Sequence, residues 1–392
     1  MKKISNIFFV LTLLLCGVNL TSCDELGFLQ GAEGNETEEP NTPIVKGLVL
    51  YTSSSVFVAD GQEELVVTVE FDGVDVTNLA SLYVNNTPMS SNIFTTQKTG
   101  DYKFYASYKG KISNQVTAKA ANPALYVALP EDSQPEKFNG FDRKVLLTEA
   151  TGTWCGFCPY MIAALELFTE TGSNADKAVI VATHIGDEFS NSASEAVEKA
   201  ILVNMPQEYR EKYGYPSCFV NLNPVTLTGT CQLSNVDAEN LNSTIGMELK
   251  EPARVGISAT VALSADSTII GARAAVKVGK DGNYRINAWL IEDGVSAYQY
   301  GAAVINHMHI LRGASCVSPI YGQLLGERES CLFGDVLDFY YEFDTKKFDV
   351  IDVKNCKVVV MVTAASGVAS EFFVNNIIEC PVGENVPFTY NN

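Results

Sequence analysis

Two cysteines in the pattern Cys-x-x-Cys stand where an apolar run gives way to a helical repeat. The run Val145-Leu-Leu has strand character, and Thr151-Gly-Thr-Trp-Cys-Gly-Phe-Cys-Pro159 follows it. Apolar residues then recur at steps of three and four, which indicates a helix: Met161, Ile162, Leu165 and Phe168. A strand, a sharp turn and a helix are the layout that a dithiol redox site needs.

This layout assigns different roles to the two thiols. Cys155 is predicted at the helix N-terminus, where unpaired backbone N–H groups and the helix dipole favour its thiolate. Cys158 then lies one helical turn further on, close enough to attack a mixed disulfide formed by Cys155. The pattern predicts that Cys155 is the reactive, exposed thiol and that Cys158 is the shielded one.

The sequence from Trp154 to Cys158, placed after a strand, resembles the active site of the thioredoxin superfamily. Glu149 lies six residues before the first cysteine, where those proteins often keep a buried acid that accepts the proton of the second thiol. Residues 214–217, Gly-Tyr-Pro-Ser, resemble the loop in which those proteins hold a cis-proline against the dithiol. The resemblance implies that Pro216 shapes a substrate groove and that Trp154 covers the site.

Each of these interpretations has an alternative. The two cysteines could be half of a zinc site, but tetrahedral zinc needs four ligands, and the chain has no second Cys-x-x-Cys and only three histidines. We therefore expect no metal and no cofactor beyond the redox-active cysteine pair. Glu149 could face solvent on an alternating strand, and Pro216 could be an ordinary trans proline, the isomer of about 95% of X–Pro bonds.

The N-terminus has the pattern of an exported lipoprotein. Two lysines followed by an apolar core make residues 1–22 a predicted signal peptide. Residues 20–23, Leu-Thr-Ser-Cys, resemble a bacterial lipobox, which implies cleavage before Cys23 and lipid attachment to that residue. Residues 23–43 are acidic and polar and predict a flexible tether. An acidic stretch at this place resembles the surface-export signals of lipoproteins from the Bacteroidota.

The expected location is the outer membrane, at the cell surface or otherwise facing the periplasm. The lipid on Cys23 would make the membrane a partner of the chain. The net charge of −19 speaks against nucleic acid as another partner, because nucleic acid binding needs clustered positive charge.

Six cysteines remain after Cys16 of the leader, Cys23 and the redox pair are set aside. An even remainder in an oxidising compartment predicts three structural disulfides. A hairpin that turns at residue 368 would bring Cys356 opposite Cys380, and a hairpin near residue 224 would bring Cys218 opposite Cys231. Cys316 and Cys331 are left to pair with each other. The alternative for each pair is two buried free thiols.

The predicted fold class is multidomain, α/β plus all-β. Short alternating strands separated by turn signals predict an immunoglobulin-like β-sandwich over residues 44–121, and a Pro-rich, polar linker follows over 122–140. Alternating strands and helices over residues 141–252 fit the thioredoxin-like central domain that the active-site resemblance implies. Returning β patterns over residues 253–392 predict a C-terminal β-sandwich.

A second resemblance extends over roughly residues 141–392. Glu292-Asp-Gly and His307-Met-His-Ile-Leu-Arg312, together with the lipobox and the Cys-x-x-Cys segment, resemble lipoproteins related to a twenty-eight-kilodalton outer-membrane protein. That resemblance implies location and architecture more than activity. On one strand His307 and His309 would point to the same face and could be two metal ligands, but core histidines are the favoured interpretation because no third ligand is placed nearby.

Two functions are consistent with the sequence. The first is a cell-envelope enzyme that exchanges thiols and disulfides with exported proteins through Cys155 and Cys158. The second is a non-enzymatic surface lipoprotein that binds a protein or ligand, with the same two cysteines forming a structural disulfide. Fold does not decide between them, and the intact dithiol pattern favours the first.

Overall fold

A computed structural model describes residues 47–223, 234–316, 321–327, 330–365 and 372–391. The N-terminal part is built from short strands only. Their bounds are β1 Leu48–Thr52, β2 Val56–Val58, β3 Leu65–Phe71, β4 Val74–Asp75, β5 Ser81–Val84, β6 Thr87–Pro88, β7 Ile93–Phe94, β8 Gly100–Tyr108, β9 Lys111–Ile112 and β10 Val116–Ala121.

These strands form two sheets. One has the order β1-β3-β4 with β7 beside β3, and the other has the order β2-β10-β8-β5-β6 with β9 beside β8. Alternate side chains of β3 point inward, so that Leu65, Val67 and Val69 are fully buried. Only strands form this part of the chain, as predicted. The finer prediction of an immunoglobulin-like sandwich has no support. The N-terminal part consists of two sheets around one core.

The middle of the chain carries the α-helices of the described residues. Its elements are β11 Val145–Thr151, α1 Cys158–Thr171, β12 Ala178–His184, α2 Ser192–Asn204, α3 Gln207–Arg210, β13 Ser217–Val220 and α4 Ser234–Glu248. Strand β11 lies between β12, which is parallel to it, and β13, which is antiparallel. All seven residues of β11 are buried because α1 and α4 cover one face of this sheet and α2 covers the other.

The remaining strands follow in one long series. Their bounds are β14 Val255–Leu263, β15 Ile269–Val278, β16 Tyr284–Glu292, β17 Val295–Gln299, β18 Ala303–His307, β19 Ile310–Ala314, β20 Gln323–Leu324, β21 Val336–Asp344, β22 Cys356–Ala365, β23 Phe372–Pro381 and β24 Asn385–Val386. A four-stranded sheet, β21-β15-β14-β24, packs on the sheet that contains β16 and β22.

The predicted thioredoxin-like central domain is wrong. Strands β11, β12 and β13 do not close a sheet of their own, because β12 pairs with β19 through Ala182 and Ile310. One sheet therefore runs through the order β13-β11-β12-β19-β16-β22-β23, with β20 beside β16. Twenty-four strands and four α-helices make the described residues predominantly β. The α/β alternation is an end of a larger, mainly antiparallel sheet rather than a separate α/β core.

The predicted disulfide between Cys356 and Cys380 is also wrong. The β22–β23 hairpin pairs Val358, not Cys356, with Cys380, and both thiols are free. Next to the turn, where Ala365 lies opposite Phe372, the strands are already one residue away from the predicted alignment, and a register shift between Val362 and Thr363 adds a second residue. Burial, as the largest cause, raises the pKa of each of these two thiols to about 12, so both stay protonated.

The other two predicted disulfides have different outcomes. The Cys316 thiol donates to Asn287 at 3.4 Å and the Cys331 thiol donates to the carbonyl of Leu325 at 3.7 Å, so these two cysteines are not joined to each other. Cys231 lies outside the described residues, and its pairing with Cys218 stays a prediction. The signal peptide, Cys23 and the tether also lie outside them. Within the described ranges, no helix is long and apolar enough to cross a membrane.

Candidate active site

A disulfide joins Cys155 to Cys158, with the two Cα atoms 5.4 Å apart. Helix α1 begins at Cys158, with Phe157 as its N-cap residue and Pro159 in its first turn, so Cys155 lies in the preceding turn rather than in the helix. The backbone N–H of Cys158 nevertheless donates to the Cys155 sulfur at 3.1 Å. Since that N–H has no partner inside the helix, it is available to stabilise negative charge on the Cys155 sulfur.

The exposure of the pair differs from the prediction. Cys158 is fully buried, as expected, but Cys155 is only 3% exposed in the disulfide-bonded state. Three large exposed side chains lie within the same turn and the first helical turn: Trp154, Phe157 and Tyr160.

A β-hairpin formed by β17 and β18, residues 295–307, lies against the cysteine turn and is hydrogen-bonded to it. We call it the clasp hairpin. The Gln299 side-chain amide donates to the carbonyl oxygens of Gly152 at 3.2 Å and Cys155 at 2.8 Å. The backbone N–H of Tyr300 donates to the carbonyl of Thr153 at 2.8 Å. These contacts could not be predicted from the sequence, because nothing in the local pattern of the hairpin marks it as a neighbour of residues so far away in the chain.

Two glycines allow the clasp hairpin to approach the cysteine turn closely. A Cβ atom at Gly156 would lie 2.9 Å from the ring of Tyr300. Gly301 has a φ of +87°, and a Cβ atom there would lie 2.7 Å from the backbone oxygen of Gly156. Larger residues at either position would push the hairpin away from the disulfide.

Trp154 and the Tyr215–Pro216 loop meet beside the disulfide. The Trp154 indole N–H donates to the carbonyl of Ile185 at 2.8 Å, and its ring lies edge-on to that of Tyr215, with 5.1 Å between centroids. The Tyr215–Pro216 peptide bond is cis, in agreement with the expected loop, and Pro216 is buried. Trp154 is 48% exposed, so it forms one wall of the site rather than a closed cover.

Glu149 is buried, which excludes the solvent-facing alternative. It lies on β11 opposite Cys218 of β13, on the sheet face that α1 covers, and is only 4% exposed. Burial raises its pKa to about 8, more than the nearby Thr151 hydroxyl lowers it. Its Oε1 atom has no hydrogen-bond partner among the described residues. Glu149 can therefore hold and release a proton near neutral pH.

Three histidines line the same cavity as this carboxyl group. His184 at the end of β12 pairs with Asp187, with 2.7 Å between Nδ1 and Oδ2, and its ring lies 5.3 Å from that of His307. Burial and the neighbouring His184 lower the pKa of His307 to about 4, so its imidazole is neutral at pH 7. His309 is in a turn with a φ of +59°, and its Nδ1 is 3.2 Å from Asp293.

His307 and His309 thus do not share one strand face, and the two-ligand interpretation based on that face is wrong. Across the part of the chain that the structure describes, no three His, Cys, Asp or Glu side chains lie close enough to hold a metal ion.

The other residues of that sequence pattern form an ion pair in the core. Arg312 of β19 donates to Glu292 of β16 at 2.7 Å, and both side chains are 4% exposed or less. The Glu292 carboxylate also accepts the backbone N–H groups of Ile351 and Asp352. A buried carboxylate needs several such donors to offset its lost hydration. The pattern that the sequence analysis singled out is thus a structural connection between two strands and a loop.

Residues 205–386 match the model of one protein family. That family is Omp28, described as outer membrane protein Omp28. The Omp28 match covers just under half of the chain and includes Pro216, the clasp hairpin and the Glu292–Arg312 pair, but not the Cys-x-x-Cys segment. The predicted resemblance to Omp28-related lipoproteins and the predicted outer-membrane location are confirmed, whereas the resemblance to the thioredoxin superfamily has no support.

Solved structures extend this comparison. HBP35 of Porphyromonas gingivalis is similar in fold, with a TM-score of 0.50 and 16% sequence identity over 65% of this chain and 80% of that chain. A domain of the outer membrane lipoprotein Omp28 from Porphyromonas gingivalis is 18% identical over 34% of this chain and 90% of that chain, with a TM-score of 0.23. No curated protein matches the sequence.

Proposed function

We propose that the Cys155–Cys158 pair of this outer-membrane lipoprotein exchanges disulfides with exported proteins. The observation that carries the proposal is the N–H of Cys158, at the start of α1, donating to the Cys155 sulfur. This contact stabilises a thiolate on Cys155, and the thiolate is both the attacking group and the better leaving group in exchange.

The proposed reaction has two reversible steps. In the reduced protein the Cys155 thiolate attacks one sulfur of a substrate disulfide, which forms a mixed disulfide and releases the other substrate sulfur as a thiolate. Cys158 then loses its proton and attacks the Cys155 sulfur, so that the second substrate thiolate leaves and the Cys155–Cys158 bond forms. Glu149 accepts the Cys158 proton, a role that its raised pKa of about 8 supports because it makes the carboxylate a stronger base.

The surroundings of the pair support a polypeptide as substrate. Exposed aromatic side chains lie next to the disulfide or on the clasp hairpin, where an extended, apolar chain segment can pack: Trp154, Phe157, Tyr160, Tyr298 and Tyr300. Aromatic side chains offer large contact areas to such a segment. Pro216 and Trp154 would shape the groove in which it lies.

A second candidate rests on burial of the pair. Because Cys155 is 3% exposed and Cys158 is fully buried, the bond is also consistent with a structural disulfide in a non-enzymatic binding lipoprotein. Buried disulfides that no thiol can reach resist reduction. The accessibility of the bond to a thiol therefore separates the two functions.

Redox equilibrium tests the proposal. Residues 45–392, which form one compact unit, are equilibrated in glutathione buffers, and free thiols are trapped by alkylation and mapped. Exchange activity predicts a potential between about −270 and −120 mV, the range of thiol–disulfide oxidoreductases. A bond that stays oxidised below about −300 mV would support the structural-disulfide candidate.

Variants identify the role of each thiol. Cys158→Ser should accumulate a mixed disulfide with a model disulfide protein, because the resolving thiol is missing, and Cys155→Ser should form none. Cys356→Ala removes a buried thiol outside the pair and serves as the control with unchanged exchange. Equal mixed-disulfide yields from the two serine variants would refute the assignment.

We also propose that Cys23, outside the described residues, carries the lipid that fixes the chain to the outer membrane. The lipobox-like segment and the Omp28 match support this proposal. Replacing Cys23 by Ser should leave an unprocessed precursor or release the protein from membranes, as measured by fractionation. Unchanged membrane attachment would contradict it.

A further inference from the structure

A cavity of about 360 Å³ lies between α1 and the ends of β11, β12 and β18. Its walls are largely aliphatic, with contributions from Ile162, Leu165, Ile180, Ala182 and Met308. Its volume is in the range of small-molecule sites, which begins at about 300 Å³. No step proposed for disulfide exchange places a substrate group in this space, although Glu149, the proposed proton acceptor, lies in its wall.

Several buried polar atoms at the cavity have no hydrogen-bond partner within the described part of the chain. They are Oε1 of Glu149, Oγ1 of Thr151 and Nε2 of His307, in residues that are 4%, 2% and 3% exposed, and Nδ1 of His309, which lies 3.2 Å from Asp293. Each unmade hydrogen bond of a buried group costs about 1–3 kcal/mol, so such groups in native proteins generally have a partner. Several of them in one cavity indicate that a ligand with a hydrogen-bond donor completes the site.

The charged groups around the cavity determine whether that ligand is a cation or an anion. Glu149 lies inside, and two carboxylates from the exposed face of α1, Glu166 and Glu170, lie at the rim. Among the described residues that line the cavity there is no lysine or arginine. His307 is neutral at pH 7, because burial and His184 lower its pKa to about 4. The two carboxylates at the rim repel an anion, whereas a cation is attracted at the rim and finds an acid inside.

We infer that this cavity binds a small organic ammonium ion whose body is a short aliphatic chain. The ammonium N–H groups reach Glu149 and His307, and the aliphatic part lies against Ile162, Leu165 and Met308. Since burial raises the pKa of Glu149 to about 8, this group is mostly protonated at pH 7 before binding. A bound cation favours the carboxylate, so binding releases a proton from Glu149.

The inference is tested by calorimetry with hexylammonium as the probe. Oxidised residues 45–392 are used, so the measurement involves no disulfide exchange and its outcome is independent of the proposed function. Hexanol and hexanoate are the neutral and anionic probes of the same length. We expect hexylammonium to bind at least tenfold more tightly than either, with proton release detected as a difference in heat between two buffers of unlike ionisation enthalpy.

Variants decide whether the probe occupies this cavity. Glu149→Gln should weaken hexylammonium binding at least tenfold and abolish proton release, and Ile162→Trp should block binding by filling the cavity. Glu208→Gln makes the same substitution on exposed α3, away from the cavity, and should bind as the parent protein does. Equal binding of hexylammonium and hexanol, or unchanged binding to Glu149→Gln, would overturn the inference. If Glu149→Gln unfolds, unchanged binding in Ile162→Trp has the same consequence.

Discussion

The side chain of Gln299 donates a hydrogen bond to the backbone carbonyl of Cys155 at 2.8 Å, although the two residues are 144 positions apart. The same amide donates to Gly152 at 3.2 Å. Gln299 is fully buried, so its amide takes the place of water at the Cys155 carbonyl, and the Gly152 carbonyl accepts from it in addition to the N–H of Cys155 at 2.9 Å. The conformation of the cysteine turn therefore depends on a residue of the clasp hairpin.

Replacing Gln299 by Ala should lower the free energy of unfolding by about 1–3 kcal/mol, because the buried Cys155 carbonyl loses its side-chain donor and the Gly152 carbonyl keeps only the N–H of Cys155. Amide hydrogen exchange across residues 152–157 should speed up in the native state. Gln207→Ala, at an exposed position of α3, is the control and should change the free energy of unfolding by less than about 0.5 kcal/mol. Equal effects of the two changes would show that Gln299 does not hold the turn.

Gly301→Ala should be more destabilising than Gly334→Ala. Both glycines have positive φ, +87° and +93°, so both substitutions carry a similar backbone cost. Only the Cβ atom at Gly301 meets the backbone of Gly156, at 2.7 Å, whereas nothing lies within 4 Å of a Cβ atom at Gly334. We expect an additional loss of about 1–3 kcal/mol for Gly301→Ala in chemical denaturation. Equal losses would mean that the clasp hairpin moves aside freely.

Glu149 should make the protein less stable as the pH rises from about 4.5 to about 8. Its pKa in the folded state, about 8, is above its ordinary value of 4.5, so the folded state binds the proton more tightly than the unfolded state does. Glu149→Gln removes this dependence and should be more stable than the parent protein by a few kcal/mol at pH 8. Parallel denaturation curves from pH 5 to pH 8 would contradict the raised pKa.

His307 should act in the opposite direction at lower pH. Its pKa in the folded state, about 4, lies below the ordinary value of 6.5, so its stabilising contribution is complete above pH 6.5 and is lost as the pH falls towards 4. His307→Gln keeps a neutral polar side chain and should reduce this acid-induced loss. Denaturation midpoints between pH 7 and pH 4 measure the difference, and an unchanged slope below pH 6.5 would exclude the lowered pKa.

Breaking the buried ion pair should be costly. Arg312→Met leaves the Glu292 carboxylate without its charged partner and should lower the free energy of unfolding by about 3–5 kcal/mol. Adding Glu292→Gln should recover part of this loss, since the second change removes the uncompensated charge. Lys119→Met breaks a more exposed pair with Asp101 and should cost less than about 1 kcal/mol. Similar losses in both single variants would argue against the importance of burial.

Local features of the site were predictable from the sequence. The apolar run before the cysteines becomes β11, the helical repeat becomes α1, and the acid at Glu149 is buried on the face of α1. These features depend on hydrophobic periodicity over a few residues, which a single sequence contains. The helix start was misplaced by three residues, since α1 begins at Cys158 rather than at Cys155.

Long-range pairing was not predictable. Nothing around Ala182 indicates that β12 pairs with β19, and this contact joins the α/β segment to the C-terminal strands. The β22–β23 register depends on a bulge at which Asn375 has no partner in the ladder between Val374 and Asn376. The Asn375 side chain accepts the N–H groups of Arg254 and Val255 instead. Such a tertiary contact shifts the register of the two strands, and counting residues from the turn does not predict that shift.

The contact between β12 and β19 also limits how this protein can be divided. A fragment ending at residue 252 would leave the outer backbone groups of β12 without their neighbour, and an unpaired strand of this apolar composition readily joins the same strand of another copy. The same fragment would lack Gln299. Transfer of the cysteine turn to another protein will therefore require the strands on both sides of the β12–β19 contact.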